Sequence, residues 1–313
     1  MDEMRVATNA TKVLEQVRRV VVGKDRVLLW VMAAMLAKGH ILLEDLPGVG
    51  KTTMAVAFSK SMDLSYNRMQ FTPDVLPSDV TGFSILDQGK LIYRPGGVLC
   101  NLFLADELNR ATSRTQAALL ETMEEGQVTV DGTTHTLPQP FIVIATQNPT
   151  GAAGTQLLPD SQLDRFMVRL RMGYPDMQDE MRMVEQRQNH DPMQEISALM
   201  TGAELIRLQE IVEKTFVAKD VIRYVVELIV ATRKDPLIRQ GASPRATLAV
   251  VSMAKAYAQL RGRDYVIPKD VQEVFLPTVA HRVILSAEAL GQNVTPEQVL
   301  KKLLRAVVAP RLG

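Results

Sequence analysis

His40-Ile41-Leu42-Leu43-Glu44-Asp45-Leu46-Pro47-Gly48-Val49-Gly50-Lys51-Thr52-Thr53 decides the fold. Its opening is a short apolar run of the kind a buried parallel strand requires. Beyond Thr53, the residues Met54-Ala55-Val56-Ala57-Phe58 continue as a helix with an apolar face. The turn between them reads as a phosphate-binding loop. Glycines let backbone N–H groups close around phosphate oxygens. Lys51 is placed to reach the β- and γ-phosphates, and Thr52 to offer its hydroxyl to Mg²⁺. The helix that follows turns its positive N-terminal end to the same anions. A nucleoside triphosphate is therefore the first ligand the sequence points to. The pattern G-x-x-x-x-G-K-[ST] has Asp45 where its first glycine stands. Aspartate tolerates a left-handed backbone, but its carboxylate must then point away from the phosphates or be held by a donor.

A second run supports the first. Leu102-Phe103-Leu104-Ala105-Asp106-Glu107 is an apolar strand ending in two acids. In a P-loop protein the first acid, Asp106, holds Mg²⁺, and Glu107 orients and activates a water for attack on the γ-phosphate. Asn148 follows the strand Phe141–Thr146. Polar residues at the carboxyl ends of parallel strands sit where ligands bind in open α/β sheets, so Asn148 is a candidate to sense the γ-phosphate. Arg165, just before a fifth strand, and Arg245, opening a later helix, are candidates to neutralise charge on a transferring phosphoryl group.

The first ~175 residues alternate short strands with helices, which predicts a mostly parallel sheet covered on both faces. The expected strands are Ile41–Leu43, Asn67–Phe71, Leu102–Ala105, Phe141–Thr146 and Phe166–Met172. In the last, Arg169 and Arg171 alternate with apolar residues and mark a solvated or interface side. A helix is expected from Ser113, with Gln116 at capping-box spacing, to Gly126. Two hairpins interrupt the core. One turns at Asp131-Gly132 and the other within Asp87-Gln88-Gly89-Lys90. Gly173-Tyr174-Pro175-Asp176 reads as a hinge. Beyond it, apolar stripes at helical spacing over Val221–Arg233 and Ser243–Leu260, with helix starts at Pro268 and Thr295-Pro296, predict a small bundle. The expected division is a nucleotide-binding αβα core over 1–188 and a helical lid over 189–313.

Composition sets limits. The chain has 313 residues, 46% hydrophobic and 23% charged, with a formal net charge of +1. No basic field argues for nucleic acid or an anionic membrane. The single Cys100 excludes an internal disulfide, and its apolar neighbours predict a buried thiol. The longest apolar run, Val27–Ala37, is about half the ~20 residues a membrane span needs and reads as a buried helix. No membrane span is expected, and the reading places the chain in the cytoplasm. The four histidines show no metal-ligand spacing.

Taken together, these motifs resemble the MoxR family of AAA+ ATPases across nearly the whole chain. The resemblance runs through Gly39–Thr52, Gln70–Gly82, Leu104–Ala111, Glu124–Val128, Ile144–Pro149, Leu158–Phe166 and Gly241–Ala246, and it includes an acidic residue at position 45. It implies ATP with Mg²⁺ bound through Pro47, Gly48, Val49, Gly50, Lys51, Thr52 and Thr53, with Thr52 and Asp106 at the metal. Val22 and Gly23 resemble the segment lining the adenine pocket, with Lys24 where relatives often carry Gln. The resemblance assigns Asn148 as sensor 1, Arg165 as the finger acting on a neighbour's nucleotide, and Arg245 as sensor 2, through which ATP closes the lid. It places Arg110 at a subunit interface. The segment Pro73–Pro95 resembles the helix-2 insertion and Gln127–Leu137 the pre-sensor hairpin, both facing the central channel of a ring. A homo-hexamer is implied, acting in a chaperone-like way to mature or activate a client protein complex, often by inserting a metal or cofactor, with a separate von Willebrand factor A domain protein as partner. Two other readings stand beside this: a nucleotide-gated scaffold with negligible turnover, and a nucleic-acid-dependent motor.

Overall fold

The computed structural model describes residues 3–45, 48–148 and 158–311. In chain order the elements begin α1 (Glu3–Val20), α2 (Asp25–Leu36), β1 (Ile41–Glu44), α3 (Lys51–Ser61) and β2 (Tyr66–Gln70). There follow α4 (Pro77–Thr81), β3 (Gly82–Asp87), β4 (Lys90–Pro95), β5 (Leu102–Asp106), α5 (Ser113–Glu125), β6 (Gln127–Val130), β7 (Thr133–Thr136) and β8 (Ile142–Gln147). Then come α6 (Asp160–Leu163), β9 (Val168–Leu170), α7 (Met177–Arg187), α8 (Gly202–Glu213), α9 (Lys219–Thr232) and β10 (Ile238–Gln240). The chain closes with α10 (Pro244–Leu260), α11 (Pro268–Val279), β11 (Ile284–Leu285), α12 (Ala287–Gly291) and α13 (Pro296–Ala306).

Five parallel strands form one sheet in the order β2-β5-β8-β1-β9. The three inner strands are buried almost end to end, as strands covered on both faces must be. Side-chain alternation assigns the two faces. Leu102, Leu104, Ile142 and Ile144 pack with α1, α2 and α3, in an apolar cluster that continues unbroken into α8–α13. Phe103, Ala105, Val143 and Ala145 pack on the other side with Leu119, Leu120 and Met123 of α5. The polar sequence of β2 (Tyr66-Asn67-Arg68-Met69-Gln70) suits an edge, and β9 is the opposite edge.

Both hairpins form at the expected turns. Gln88-Gly89 and Asp131-Gly132 each have two consecutive positive φ angles, the requirement of a two-residue type I′ connection. Tyr93 of one hairpin stacks on His135 of the other, ring centroids 3.7 Å apart.

Two local readings change. The N-cap of α5 is Thr112, whose side chain accepts from the Thr115 amide, not Ser113. The fifth strand is also shorter than expected. The Phe166 amide bonds to Leu163 O in the turn after α6, and the Met172 amide turns to the Asp45 carboxylate, so only Val168–Leu170 remain as strand. Arg169 and Arg171 do share a charged side: Arg171 pairs with Glu44 at 2.5 Å and Arg169 with Glu297 of α13 at 3.4 Å.

Candidate active site

The parallel sheet sorts the site residues by strand end. At the carboxyl ends, Gly48, Gly50, Lys51, Thr52, Thr53, Asp106, Glu107 and Asn148 line one cavity of about 380 Å³. Gly48 and Gly50 are left-handed, at φ +84 and +94, and Gly50 is the N-cap of α3. The strand–turn–helix arrangement of a phosphate cradle is thus present. Pro47 lies outside the described residues. Lys51 is buried, and its ammonium donates to Asp45 O at 2.8 Å. Burial pushes its pKa down, against the upward pull of Asp106, Asp45 and Glu107.

The Asp45 carboxylate is held by donors, as its position required. It accepts from the Met172 amide and, at 3.0 Å, from the Gly173 amide. The acid in place of the motif's first glycine therefore ties the loop to the hinge. Lys24, the residue before α2, also reaches the hinge, donating to Tyr174 O at 2.9 Å. Val22, Val49 and Tyr174 line a neighbouring cavity of about 280 Å³ that shares Gly48, Gly50 and Thr53 with the first. Gly23 sits beside it with φ +72, a left-handed turn that favours glycine, and a Cβ there would press on the Asp179 side chain of α7.

The acids are clamped in part by residues that the motifs did not reveal. Thr146 of β8 is fully buried; its hydroxyl donates to Asp106 Oδ1 at 2.7 Å and accepts from the Glu107 amide at 2.8 Å. Arg68 of β2 donates to Asp106 Oδ2 at 2.7 Å. Glu107 sits at φ +56, an uncommon backbone state for a residue other than glycine. Three side chains hold its carboxylate: Gln70 at 2.6 Å, Arg110 at 2.9 Å and Asn148 at 3.0 Å. The hydrogen bond from Arg110, then that from Asn148, hold its pKa below the usual glutamate range despite burial. Arg110 thus reaches Glu107 of its own chain, three residues earlier. For Arg68, Gln70 and Thr146 only position in the sheet identifies the clamp, since Gln70 pairs with Asp106 in register and β8 runs beside β5.

Arg165 and Arg245 are absent from both cavities. They meet each other in a third, of about 290 Å³, together with Gly39, His40, Glu124 and Arg282. Gly39-His40 precede β1, and Arg165 precedes β9, so this cavity lies at the amino ends of the strands. The four residues of β1 alone, about 13 Å at ~3.3 Å each, separate it from the P-loop. Arg245, expected as the sensor 2 through which ATP closes the lid, thus lies away from the P-loop cavity of its own chain. Ser243 donates to Asp164 at 3.1 Å and Arg282 pairs with Asp164 at 2.9 Å, which fixes the start of α10 at the far end of the sheet.

The donor set fits a nucleotide and Mg²⁺. A buried carboxylate and a threonine hydroxyl converge beside a cradle of backbone amides, and Mg²⁺ is commonly held by one or two protein oxygens plus phosphates and water. Such an ion would neutralise charge on the β- and γ-phosphate oxygens.

Residues 40–168 match the model of the ATPase family associated with various cellular activities (AAA), and 230–303 match the AAA lid domain. An uncharacterised protein, YeaC of Bacillus subtilis, is 44% identical over 96% of this chain and 94% of its own. Chaperone MoxR1 of Mycobacterium tuberculosis is 40% identical over 95% of this chain and 81% of its own. Protein MoxR of Methylorubrum extorquens is 30% identical over 95% and 93%. A crystal structure of a candidate ATPase from Cytophaga hutchinsonii superposes with a TM-score of 0.91 at 34% identity, covering 99% of this chain and 97% of that one. The chain belongs to the MoxR family of AAA+ ATPases, and ATP hydrolysis is its activity.

Proposed function

We propose that the chain hydrolyses ATP with Mg²⁺ in a ring, a homo-hexamer, in which each protomer completes its neighbour's site with Arg165 and Arg245. The observation that carries this is the position of those two arginines, at the opposite end of the sheet from the P-loop of their own chain. Arg68 and Arg110 of the same chain are engaged by Asp106 and Glu107, so on this reading Arg165 and Arg245 act on the γ-phosphate of another copy.

Within each site, Lys51 and the Gly48–Thr53 amides bind the phosphates, and Thr52 and Asp106 hold the metal. Glu107, ionised at neutral pH, orients the attacking water and accepts its proton. Asn148 links Glu107 to the γ-phosphate position. Residues 1–188 act as the core and 189–313 as the lid.

Turnover is used on a protein client. The name of the mycobacterial relative, a chaperone, supports this. So does the tip of the β3–β4 hairpin, where Leu86 and Leu91 pair across strands at 73% and 65% exposure. A separate von Willebrand factor A domain protein presents the client complex, whose maturation includes insertion of a metal or cofactor. The ring is tested by steady-state ATPase against protein concentration. The rate per protomer rises with concentration if sites are shared; a flat line means each protomer is self-sufficient and the ring reading fails.

A further inference from the structure

One carboxylate holds both arginines of the far cavity. Glu124 Oε2 lies 3.2 Å from Arg165, and Glu124 Oε1 accepts from Arg245 at 2.5 Å. Arg165 comes from the core and Arg245 from the first turn of α10, so this acid bridges the two. Among the described residues no other carboxylate pairs with either guanidinium. Arg282 and Lys38, the latter paired with Glu213 at 2.6 Å, also line the cavity. Its other acid, Asp164, is already engaged by Arg282 and Ser243. Without Glu124 the cavity presents an excess of positive charge with no carboxylate free to meet it.

The backbone carrying Glu124 is fixed. The Val143 amide donates to His40 Nδ1 at 3.0 Å, which leaves Nε2 of the neutral ring to donate to Met123 O at 3.0 Å. Gly126, left-handed at φ +64, ends α5 two residues later, and β6 begins at once. Movement at this point therefore belongs to the Glu124 side chain. The three side chains are 42%, 30% and 45% exposed for Glu124, Arg165 and Arg245. Ion pairs this open to water contribute little. A terminal phosphate, with greater charge and several acceptor oxygens, competes well for the same two guanidinium forks.

We infer that Glu124 is the resident anion of this arginine pair. It positions Arg165 and Arg245 side by side in a protomer without a neighbour, and it gives way to the terminal phosphate of the neighbour's nucleotide. The inference rests on the reading that both arginines act on a neighbouring protomer. It implies that Glu124 opposes nucleotide-driven assembly, because the carboxylate must be displaced each time a phosphate docks.

The test measures the protein concentration at half-assembly by sedimentation velocity, with ATP and Mg²⁺, in a hydrolysis-deficient Glu107→Gln background. Glu124→Gln lowers that concentration by about fivefold, the worth of one partly exposed ion pair. Glu124→Ala shifts it in the same direction, and both variants melt within a few degrees of the parent. A residue that merely braces core against lid would give an unchanged or higher concentration in both variants, and that result overturns the inference. Arg165→Ala in the same background reads the premise separately. It raises the assembly concentration if the arginine docks on a neighbour's phosphate. If Arg165→Ala shifts assembly and the Glu124 variants do not lower it, action between protomers stands and the role given to Glu124 is wrong. If Arg165→Ala changes nothing, the reading beneath the inference fails with it.

Discussion

On the proposed mechanism the chemistry turns on Glu107, and its surroundings set when it can act. Arg110 is the first cause of its lowered pKa. The carboxylate must be ionised to accept a proton from water, so activity falls as pH drops through that pKa. A depressed pKa moves the acid limb of the rate profile to lower pH. Arg110→Ala is expected to move this limb upward, towards the ordinary glutamate value, which kcat measured from pH 4.5 to 8 would reveal; an unmoved limb would mean that another group titrates. Thr146 makes a second case. Its hydroxyl bonds both Asp106 and the Glu107 amide, so Thr146→Val leaves a buried acceptor and a buried donor unpaired. A loss of about 1–3 kcal/mol per unsatisfied group is expected, read as a lower urea midpoint together with a lower kcat. The acids themselves were legible in sequence, because an apolar strand ending in Asp-Glu downstream of a P-loop has few other uses. Their clamps were not legible. Arg68, Gln70 and Thr146 come from strands whose neighbours are set by the order β2-β5-β8-β1-β9, and no local pattern encodes that order.

At the scale of elements, the P-loop is joined to the sheet's edge and to the hinge. Asp45 accepts from two amides just beyond β9, so a substitution towards the common motif should not help. Asp45→Gly is expected to cost about 1–3 kcal/mol for the unsatisfied amides, with no gain in ATP affinity. Chemical denaturation and nucleotide titration on the same variant check both halves. A tighter-binding, equally stable variant would show that the acid is dispensable. Sequence patterning located all five sheet strands, the α5 helix, both hairpin turns and the start of α13, since each carries an apolar period or a turn dipeptide of its own. It overextended β9. The residues Phe166 and Met172 have strand-like character, but their amides are taken by a turn and by the Asp45 side chain, contacts made 3 and 127 positions away.

Across the whole molecule, lid and core meet around Phe166. His281 Nε2 lies 3.0 Å from Phe166 O, and Arg282 donates to the same carbonyl at 2.8 Å. Burial first, then the positive charge of Arg282, holds the pKa of His281 well below the ordinary value. The unfolded chain therefore binds a proton at this position at a pH where the folded chain does not. Stability is fully present above the unfolded value of ~6.5 and falls as pH drops below it. The melting temperature should decline from pH 7 to pH 5, and the decline should be shallower in His281→Gln, which keeps a donor for Phe166 O. Equal slopes would place the acid sensitivity elsewhere. The lid's helices were legible from their apolar stripes. Its seat was not, because a residue near the start of a bundle helix can face either end of the sheet. The ties from Ser243 and Arg282 to Asp164, with the Glu124 bridge, put Arg245 beside Arg165.

That placement makes the central claim testable in one mixing experiment. Glu107→Gln lacks the base but keeps its arginines; Arg165→Ala lacks a finger but keeps its base. Steady-state ATPase is measured for each alone and for an equimolar mixture above the assembly concentration. If arginines serve the neighbouring protomer, each variant alone is inactive, and the mixture recovers activity at interfaces where an intact base meets an intact Arg165. If Arg165→Ala alone turns over ATP at the parent rate, or the mixture stays as inactive as its components, the claim that the site is completed between protomers is contradicted.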